Sequence, residues 1–392
     1  MIVLNWNGWM DTLECLQSLY DQRYANACIV VVDNGSKDES VQMIERWASG
    51  ELPASVAKVS IPPVKRAVHE IRVSGRNLTD SRTVPDLGDN LSDGNWRRHL
   101  VLIRVSDNLG YAGGMNIGIH FAYRLMKAKE VLLLNNDVVL EPNFFKEMMS
   151  FIEANPEIAI SQGKILFYND RKRLNSAGNM MDRFGGVDCR GYGELDTGQY
   201  DSLTSTGFFY ASGAAMLVRN CHLRSCEGTS YLDPTLFAYH EDLDISWSAR
   251  MLGYGIGFCP KAVCYHKGGR SLKEDKSFAV AFYVKRNIIR VLLKNYDLPN
   301  LLFSLPLAVV IASISSAAHA ANRRNPSYLV VFVRSLLWNL RNLDDTLRER
   351  RFVQARRIKP DSNIIPFMAP GSLLLAEIAK KLRKLGRSSK RP

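Results

Sequence analysis

Residues 130–137 read EVLLLNND, a short apolar run that ends in two asparagines and an aspartate. The run predicts a β-strand from Glu130 to Asn135 that delivers Asn136 and Asp137 at its carboxyl end. Because ligands of open α/β sheets bind at such ends, we expect a cleft here. A strand-terminal aspartate is more often a turn or capping residue than a metal ligand, so Asp137 needs support from other motifs. One carboxylate suffices for Mg²⁺ when substrate phosphates supply further ligands.

On both sides of this run, segments rich in Val and Ile alternate with helical patterns. Residues 2–5 and 28–33 are predicted strands separated by a helix over 11–20, a β-α-β unit that implies parallel pairing. We predict further strands over 100–105, 158–166 and 213–218, and helices over 39–47, 114–126, 242–252 and 279–293. The expected fold class is α/β, with a mostly parallel central sheet flanked by helices and a C-terminal helical extension. The segment 49–98 breaks the pattern with Pro, Gly, Asp and Asn, which predicts an inserted loop or a small hairpin subdomain.

The composition narrows the functional classes. The formal net charge is +12, but residues 323–392 hold 17 Lys and Arg against 5 Asp and Glu, which leaves 34 against 34 for the rest. A neutral body argues against a nucleic-acid partner, and the basic C-terminal region predicts contact with an anionic membrane surface. The seven cysteines form no CxxC pair and no ligand-spaced cluster, which favours a reducing, cytoplasmic compartment.

An apolar segment precedes the basic region. Residues 301–321 carry no charge apart from a titratable His319, and by length they could span a bilayer as a single transmembrane helix. Pro306 and three serines weaken that interpretation, so we favour a helix that packs on the catalytic domain or lies in the membrane interface. Helical patterns follow over 328–343 and 373–385, and the second has an apolar face opposite Lys and Arg, as interfacial helices do.

Three acids stand within four residues in YHEDLD, residues 239–244. Acids in a first helical turn often only compensate the helix dipole. Crowded acids also raise each other's proton affinity, so one of them can act as a general base near neutral pH. We assign that role to Asp242, with Glu241 as a supporting group.

Two further motifs contribute candidate residues. In NLGYAGGMN, residues 108–116, three glycines precede a helix, where the backbone can approach an anion such as a diphosphate. Tight packing also explains such glycines, and their spacing matches neither a Rossmann nor a Walker motif. The sequence YHKGGRS, residues 265–271, contains a lone histidine, and a lone histidine without further context is most often structural.

The chain contains, in order, LNWNG, VVDNGS, NLGYAGGMNIG, LLLNNDV, SGAAMLV, HEDLDISWSAR and YHKGGRS. Together they resemble the family 2 glycosyltransferases of the GT-A fold, particularly their rhamnosyltransferase-like branch. The resemblance runs from Met1 to about Asp361, with an interruption over 49–98. It implies a nucleotide-diphospho-sugar transferase with a dTDP- or UDP-sugar donor, a divalent metal (Mg²⁺ or Mn²⁺) and inversion at the anomeric carbon.

The resemblance also implies roles for individual residues. Asp33 contacts the pyrimidine base, Asp242 matches the general base, and His266 approaches the metal, which replaces the structural interpretation of that histidine. Asp137 corresponds to the metal-binding last acid of the family's DxD motif, although Asn135 stands at the first acid position. The other predicted donor-binding residues are Asn7, Asn34, Asn108, Gly110, Gly113, Gly114, Asn116, Asn135 and Asn136. The predicted acceptor region comprises Ser212, Gly213 and Asp244.

These inferences predict a catalytic domain over 1–295 and a membrane-associating helical region over 296–392. The expected activity is inverting transfer of a sugar, with rhamnose as a candidate, to a hydroxyl of a glycan or lipid-linked acceptor in cell-surface polysaccharide synthesis. The expected location is the inner face of the cytoplasmic membrane. Two alternatives remain: a catalytically silent binding protein of the same fold, and a nucleotidyltransferase. The second would carry a Gly-rich signature with Arg or Lys where this chain has Asn5-Trp6-Asn7-Gly8.

Overall fold

The structure is a computed structural model that describes residues 1–24, 26–52, 54–56, 59–61, 67–73, 99–220, 231–268 and 274–388. The side chains of 53–99, 221–230, 269–277 and 381–392 are outside that description. The strands are β1 (Ile2–Asn5), β2 (Ile29–Asn34), β3 (Ala54–Val56), β4 (Val59–Ile61), β5 (Ala67–Val73), β6 (His99–Val105), β7 (Glu130–Asn135), β8 (Val138–Leu140), β9 (Ile158–Phe167), β10 (Leu174–Ser176), β11 (Asn179–Met181), β12 (Val187–Cys189), β13 (Ala215–Arg219) and β14 (Gly255–His266). The α-helices are α1 (Trp9–Tyr20), α2 (Ser40–Ala48), α3 (Gly110–His120), α4 (Phe144–Ala154), α5 (Glu241–Met251), α6 (Glu274–Asn295), α7 (Leu298–Asn322), α8 (Ser327–Arg341), α9 (Leu343–Ala355), α10 (Asp361–Ile364) and α11 (Leu373–Ser388).

The main sheet is parallel at one end and mixed at the other. Its strand order is β5-β6-β2-β1-β7-β13-β9-β14-β8, and β10 pairs with β9 off this path. Strands β5, β6, β2, β1 and β7 are parallel neighbours, whereas β13 is antiparallel to both β7 and β9, and β8 is antiparallel to β14. The predicted α/β sheet is confirmed, but parallel pairing dominates only its first half because β13 inserts between β7 and β9.

Both faces of the sheet are buried, which explains why its parallel strands are continuous apolar runs. Successive residues of β2 point to opposite faces: Val30 and Val32 belong to the apolar cluster that includes α3 and α5, and Val31 to the cluster that includes α1, α2 and α4. Each of the three is at most 1% exposed. The polar residues that follow these apolar runs therefore meet at one edge of the sheet.

The segment 49–98 contributes strands where the structure describes it. Strands β3 and β4 form an antiparallel hairpin, and β5 pairs in parallel with β6. The extension of the main sheet by β5 was not predicted from the sequence. The remainder of this segment, residues 53, 57–58, 62–66 and 74–98, lies outside the described residues.

The C-terminal helices pack on the catalytic part of the chain through α6. Trp247 of α5 and Tyr296, immediately after α6, are edge to face with ring centroids 4.8 Å apart, and both are fully buried. Around them, one apolar cluster combines residues of α5, α6, α7 and α9. Within the described part of the chain, α7 alone is long and apolar enough to cross a membrane, and 33% of its most apolar stretch is buried in the protein.

Candidate active site

The carboxyl ends of β1, β2 and β7 bring the first predicted residues together. The strand register aligns Asn5 with Asp33, and Leu4 with Asn135. Asp33 is 3% exposed, and its Oδ1 accepts hydrogen bonds from Asn5 Nδ2 at 2.7 Å and from Ser36 Oγ at 2.6 Å. Asp33 therefore links β1 to the turn after β2, and its predicted contact with a base would be made from this fixed position.

Asn7 closes the turn after β1. Its backbone has a left-handed φ of +49°, its N–H donates to Ser36 Oγ at 3.0 Å, and its Oδ1 accepts from the Lys37 N–H at 2.7 Å. Positive φ is uncommon for a residue other than glycine and tends to occur at functional sites. The two turns at the edge of the sheet are thus fixed against each other.

Asn34 holds the glycine-rich turn. Its side chain is 1% exposed, accepts a hydrogen bond from the Leu109 N–H at 3.1 Å, and donates to Asn108 Oδ1 at 3.1 Å and to Gly110 O at 3.0 Å. Asn108 Oδ1 also accepts from the Gly110 N–H at 2.8 Å. Both ends of the Asn34 amide are used, so it acts as a positioning residue for this turn.

Packing requires the three glycines, which lie in the first turns of α3 (Gly110–His120) and not before the helix as predicted. Gly110 has a φ of +72°, and a Cβ there would lie 2.4 Å from Phe237 O. A Cβ at Gly114 would lie 2.5 Å from Leu4 Cδ1. Gly113 is buried as well. Close packing therefore explains why these positions are glycines. Their contact with a donor stays a prediction, and only backbone atoms could make that contact.

Two predicted donor-binding residues make structural contacts. Asn116 Nδ2 donates to Leu232 O at 2.8 Å, and its Oδ1 accepts from the Leu232 N–H at 2.8 Å. Asn136 Nδ2 donates to Thr12 Oγ1 at 3.0 Å and to Gly8 O at 3.3 Å. Asn116 ties α3 to the segment before α5, and Asn136 ties the end of β7 to the start of α1, while their contact with a donor stays a prediction.

Asp137 and His266 meet because of strand pairing. Strands β8 and β14 are antiparallel with Val138 opposite His266, which places Asp137 beside the histidine. His266 Nε2 lies 3.3 Å from Asp137 Oδ1. The other ring nitrogen, Nδ1, lies 3.2 Å from Asn175 Oδ1, a contact that orients the imidazole. The structure thus brings the predicted metal pair together.

This pair fits a divalent cation. Burial alone would raise the pKa of Asp137, but the hydrogen bond and charge of His266, with the charge of Lys267, hold it below its ordinary value. Two atoms in adjacent positions of an octahedral Mg²⁺ site, each about 2.1 Å from the ion, lie about 3 Å apart, close to the observed separation. Within the described residues, no group of three His, Cys, Asp or Glu could hold a metal. Water and the phosphate oxygens of a substrate commonly supply the remaining ligands of such an ion.

A charged cluster that the sequence analysis missed lies beside this pair. Lys267 Nζ is 2.6 Å from Asp11 Oδ1 and 2.5 Å from Glu14 Oε2, and the Lys267 N–H donates to Asp137 O at 3.0 Å. Tyr168 OH donates to Glu14 Oε1 at 2.6 Å. The three-residue spacing of the acids on α1 was a visible signal of a common face, but nothing local showed that Lys267 reaches them. Of the motif containing Lys267, residues 269–271 lie outside the described residues.

The acid pair occupies the first turn of α5. Asp242 Oδ2 accepts the Gly213 N–H at 3.0 Å, and its Oδ1 accepts the Leu243 N–H at 2.8 Å. Burial raises the pKa of Asp242, and these backbone donors oppose that shift. Burial and the charge of Asp242 raise the pKa of Glu241 to about 8, and Glu241 Oε2 has no hydrogen-bond partner among the described residues. With a pKa of about 8, Glu241 retains its proton at pH 7, so the pair does not carry two negative charges there.

The segment 212–214 contacts residues near the predicted metal pair on one side and the acid pair on the other. On the metal side, the Asn135 N–H donates to Ala214 O at 3.0 Å. On the other side lies Asp242, which accepts the Gly213 N–H. Tyr111, in the helix that follows the glycine-rich turn, donates its OH to the carbonyl of residue 213 at 2.8 Å. Residues from three predicted motifs, Asn135, Tyr111 and Asp242, therefore contact one short segment.

The predicted acceptor region is only partly at this position. Ser212 and Gly213 belong to the joining segment, and Ser212 is half-buried. Asp244 is 2% exposed, its Oδ2 lies 2.7 Å from Lys294 Nζ, and its Oδ1 accepts from Asn295 Nδ2 at 2.9 Å. Both carboxylate oxygens of Asp244 thus have protein partners, and its acceptor role stays a prediction. Because residues two apart on a helix face different directions, the third acid points to α6 and anchors α5 there.

The loop before α5 has a strained backbone. Phe237, Tyr239 and His240 have φ values of +63°, +71° and +68°. Such conformations cost roughly 1–3 kcal/mol each and persist where the surroundings enforce them. Asn287 of α6 is fully buried, and its Nδ2 lies 2.7–2.9 Å from three main-chain oxygens of residues 236–239. The sequence analysis treated α6 only as an amphipathic helix and missed this clamp.

Arg290 and Lys294 continue the clamp along α6. Arg290 Nε lies 2.9 Å from Asp233 Oδ2, and Lys294 Nζ lies 2.8 Å from the same atom. With the Lys294–Asp244 contact, these four side chains form one network, and each is at most 2% exposed. Removing one partner of a buried ion pair is strongly destabilising, so the network fixes α6 against the segment 233–244.

Comparison with known families decides the identity. The family described as "Glycosyltransferase like family 2" matches residues 81–287, which is 207 of the 392 residues, and "Glycosyl transferase family 2" matches residues 1–60. The chain belongs to glycosyltransferase family 2. The predicted family and the predicted GT-A fold are confirmed, whereas neither match distinguishes a rhamnosyltransferase-like branch. No curated protein matches the chain.

Several solved structures are similar to this glycosyltransferase at low identity. GalNAc-T7 with UDP, GalNAc and Mn²⁺ is 14% identical, with 76% of this chain and 48% of that chain covered and a TM-score of 0.47. TarS of S. aureus, residues 1–349, is 16% identical, with 75% and 65% covered and a TM-score of 0.42. The mannosyltransferase PcManGT from Pyrobaculum calidifontis, with GDP-Man and Mn²⁺, is 14% identical, with 91% and 84% covered and a TM-score of 0.43. This chain spans about half the length of the first of these proteins, 48%.

Proposed function

We propose that this family 2 glycosyltransferase moves a sugar, with inversion, from a nucleotide-diphosphate donor to a hydroxyl group, and that it does so with a divalent metal. The observation that carries the proposal is the arrangement around residues 212–214. Asn135, at the end of the strand that precedes Asp137, contacts this segment from one side, and Asp242 of the buried acid pair contacts it from the other. Glycosyl transfer needs a cation and a base, since the leaving diphosphate requires charge neutralisation and the attacking hydroxyl must lose its proton.

On the donor side, Asp137 and His266 would hold Mg²⁺ or Mn²⁺, with Asn175 orienting the histidine. The ion supplies positive charge that stabilises the departing diphosphate. Asp33, Asn7 and the turn over 108–114 lie at the same sheet edge and would contact the nucleoside of a dTDP- or UDP-sugar. Asn135 contributes no charge at the first position of the acidic motif, so the site relies on one carboxylate and on the phosphates themselves.

On the acceptor side, Asp242 removes the proton from the attacking hydroxyl. The N–H groups of Gly213 and Leu243 fix the carboxylate and favour its ionised form against the effect of burial, while Glu241 retains its proton. The neutral Glu241 prevents a second buried negative charge beside Asp242. A single displacement at the anomeric carbon, with base and leaving group on opposite faces of the sugar, inverts its configuration.

The finer assignments are also part of the proposal. Rhamnose is the candidate sugar, and the acceptor is a glycan or a lipid-linked glycan of a cell-surface polysaccharide. Such donors are cytoplasmic, so the enzyme would work at the inner face of the cytoplasmic membrane, with the basic C-terminal region facing anionic lipids. A catalytically silent protein and a nucleotidyltransferase are the outcomes that would replace this function.

A panel of nucleotide sugars tests the proposal directly. The purified chain is incubated with dTDP-rhamnose and with UDP- and GDP-sugars, with Mn²⁺ or with EDTA, and released nucleoside diphosphate is measured. We expect metal-dependent release from one donor and loss of that release in Asp242→Asn. Metal-dependent thermal stabilisation by a donor without any release would indicate a silent binding protein. Formation of pyrophosphate from a nucleoside triphosphate and a sugar phosphate would indicate a nucleotidyltransferase.

A further inference from the structure

Helices α7 and α8 expose their more apolar faces. The exposed large apolar residues of α7 are Leu298, Leu302, Phe303, Leu307, Val310 and Ile314, and its buried residues are Leu301, Ser304, Ala308, Ile311, Ser315 and Ser316. Half of the buried positions are serines, whereas the other exposed positions are prolines, alanines and, at the end of the helix, Asn322. A surface helix of a protein surrounded by water shows the opposite distribution. The polarity of α7 is therefore inverted relative to an aqueous environment.

Helix α8 repeats the pattern. Its outward large apolar residues are Leu329, Val330, Val333, Leu337 and Leu340, and its buried residues are Val331, Phe332, Ser335 and Asn339. Helices α7 and α8 together carry 11 of the 22 large apolar side chains that are exposed among the described residues. Contiguous exposed apolar surface of this kind marks an interaction site. We name these eleven side chains the α7–α8 face.

Helices α7 and α8 both pack on α6, and their exposed sides face away from it. Lys285 of α6 donates to Ser316 Oγ of α7 at 2.9 Å. Ser335 and Asn339 of α8 contact the main chain of the same stretch of α6, at Phe282 O (3.4 Å) and Arg286 O (2.9 Å). Because both helices are seated on one part of α6, their outer sides form one continuous surface.

The charges around the α7–α8 face identify its partner. Residues 298–343 contain no Asp or Glu, and their four cations, Arg323, Arg324, Arg334 and Arg341, are all exposed. Two of them form the turn between the helices. A surface of aliphatic side chains with arginines at its border and no acid complements a bilayer with anionic headgroups. The α7–α8 face is separate from the basic C-terminal helix α11, and it includes α8, for which the sequence predicted only a helix.

We propose that the α7–α8 face is embedded flat in the surface of an anionic lipid bilayer, and that α7 does not span it. Spanning would expose the three buried serines of α7 to hydrocarbon and break the Lys285–Ser316 contact. It would also separate Asn300 from Arg183, whose Nη2 donates to Asn300 Oδ1 at 2.8 Å. The flat orientation keeps these contacts and places the catalytic domain directly on the membrane. The inference goes beyond the proposed function and does not require it.

Vesicle flotation tests this surface. The full chain is mixed with vesicles of phosphatidylcholine containing about a third phosphatidylglycerol, and with pure phosphatidylcholine vesicles. The test variant is Leu302→Asn/Val310→Asn/Leu340→Asn. The matched control is Leu195→Asn/Leu203→Asn, which changes exposed leucines of the catalytic part (52% and 37% exposed). We expect the wild type and the control to float with the anionic vesicles. The test variant should bind at least tenfold more weakly, since each side chain would lose burial in the acyl region.

Further outcomes decide against the proposal. Unchanged flotation of the test variant would overturn it. Resistance of the wild-type protein on membranes to alkaline carbonate extraction would show a spanning helix and overturn the flat orientation. A dimer in light scattering that dissociates in the test variant, with no vesicle binding, would show that a second copy covers this face. Release of nucleoside diphosphate in detergent solution by all variants separates this test from the proposed function, because none of the changed residues lies in the cleft.

Discussion

The metal pair and the acid pair are held in the cleft by different means. Asp137 and His266 are neighbours because β8 and β14 are hydrogen-bonded in register, a property of the main chain. Glu241 and Asp242 follow a loop with three left-handed residues that the Asn287 side chain holds from α6. One half of the site therefore depends on sheet pairing, and the other on a few buried polar side chains distant in sequence. The acid pair should be the more sensitive to changes outside the cleft.

The largest expected effect on turnover is that of replacing Asp242, the proposed base. Asp242→Asn keeps the size of the side chain and its contact with the Gly213 N–H but cannot take a proton. Turnover should fall roughly a hundred- to ten-thousand-fold, the usual contribution of general-base assistance. Binding of the nucleotide with Mn²⁺, measured by calorimetry, should stay close to that of the wild type. Wild-type turnover in this variant would remove Asp242 from the mechanism.

Asp137→Ala tests the other half of the site, the pair of Asp137 and His266. Removing the single carboxylate of the metal pair should abolish the metal-dependent part of nucleotide binding. We expect Asn175→Ala, which removes the residue that orients the histidine, to weaken this binding roughly 10- to 100-fold. The loss in Asp137→Ala should be larger. Nucleotide titrations with Mn²⁺ and with EDTA measure both. The control is Glu153→Ala, an exposed acid on α4. Equal titrations for Asp137→Ala and the control would contradict a metal role.

Asn287→Ala directly tests the difference between the two halves. Without the clamp, the loop before α5 relaxes and misplaces Asp242, so turnover should fall about 10- to 100-fold while metal-dependent nucleotide binding is retained. The matched control is Asn339→Ala. Asn339 is also a buried asparagine, and its Nδ2 donates to Arg286 O and Ser335 O at 2.9 Å without contacting the loop.

Both asparagine variants lose stability, so turnover is compared at temperatures where each is folded. A shift of the acidic limb of the pH–rate profile in Asn287→Ala, and not in Asn339→Ala, would report the changed surroundings of the acid pair. If the two variants lose turnover equally, the clamp has no specific effect on the base.

The smallest effect at neutral pH is expected for Glu241→Gln. Glu241 is mainly protonated at pH 7, so glutamine should change turnover by only a few-fold. The substitution should change the pH dependence of the free energy of unfolding more clearly than it changes turnover. Because the pKa of this carboxyl is about 8 in the folded chain against 4.5 as its reference, its contribution is complete below 4.5 and is lost as the pH rises through 8. The variant should remove this part of the pH dependence.

Urea unfolding between pH 5 and 8.5 measures this contribution. The free energy of unfolding of the wild type should fall with pH across the interval more steeply than that of Glu241→Gln. Parallel curves would place the retained proton elsewhere in the acid pair.

The position of Asp137 at the end of a strand was predictable from the sequence, whereas the contacts that hold the acid pair in place were not. Strand β7 runs from Glu130 to Asn135 as its apolar run predicted, and Asp137 follows it. Asp242 was placed near the start of a helix, where it lies. The two left-handed residues before that helix carry no glycine signal, and the asparagine that supports them is 46 positions away from Glu241. No local pattern links them.

Three predicted site residues have protein partners that the sequence did not show. Asn116, Asn136 and Asp244 stand in the right motifs, but each is bonded to a neighbouring element: Leu232, Thr12 and Lys294, respectively. A motif gives the position of a residue along its strand or helix. Which neighbour its side chain meets depends on how the elements pack, and here packing brings together residues that are 50 to 124 positions apart.

The sequence by itself determined the α/β class, the family and the positions of Asp137, His266 and Asp242 along the chain, because hydrophobic periodicity and turn residues are local properties. It also located the apolar segment before the basic region. Only the tertiary structure decided that β13 reverses direction within the sheet, that α6 clamps the loop before the acid pair, and that α7 and α8 turn their apolar faces outward. Those features follow from contacts between distant segments. Burial and strand direction are set by such contacts, and the order of residues in one segment does not specify them.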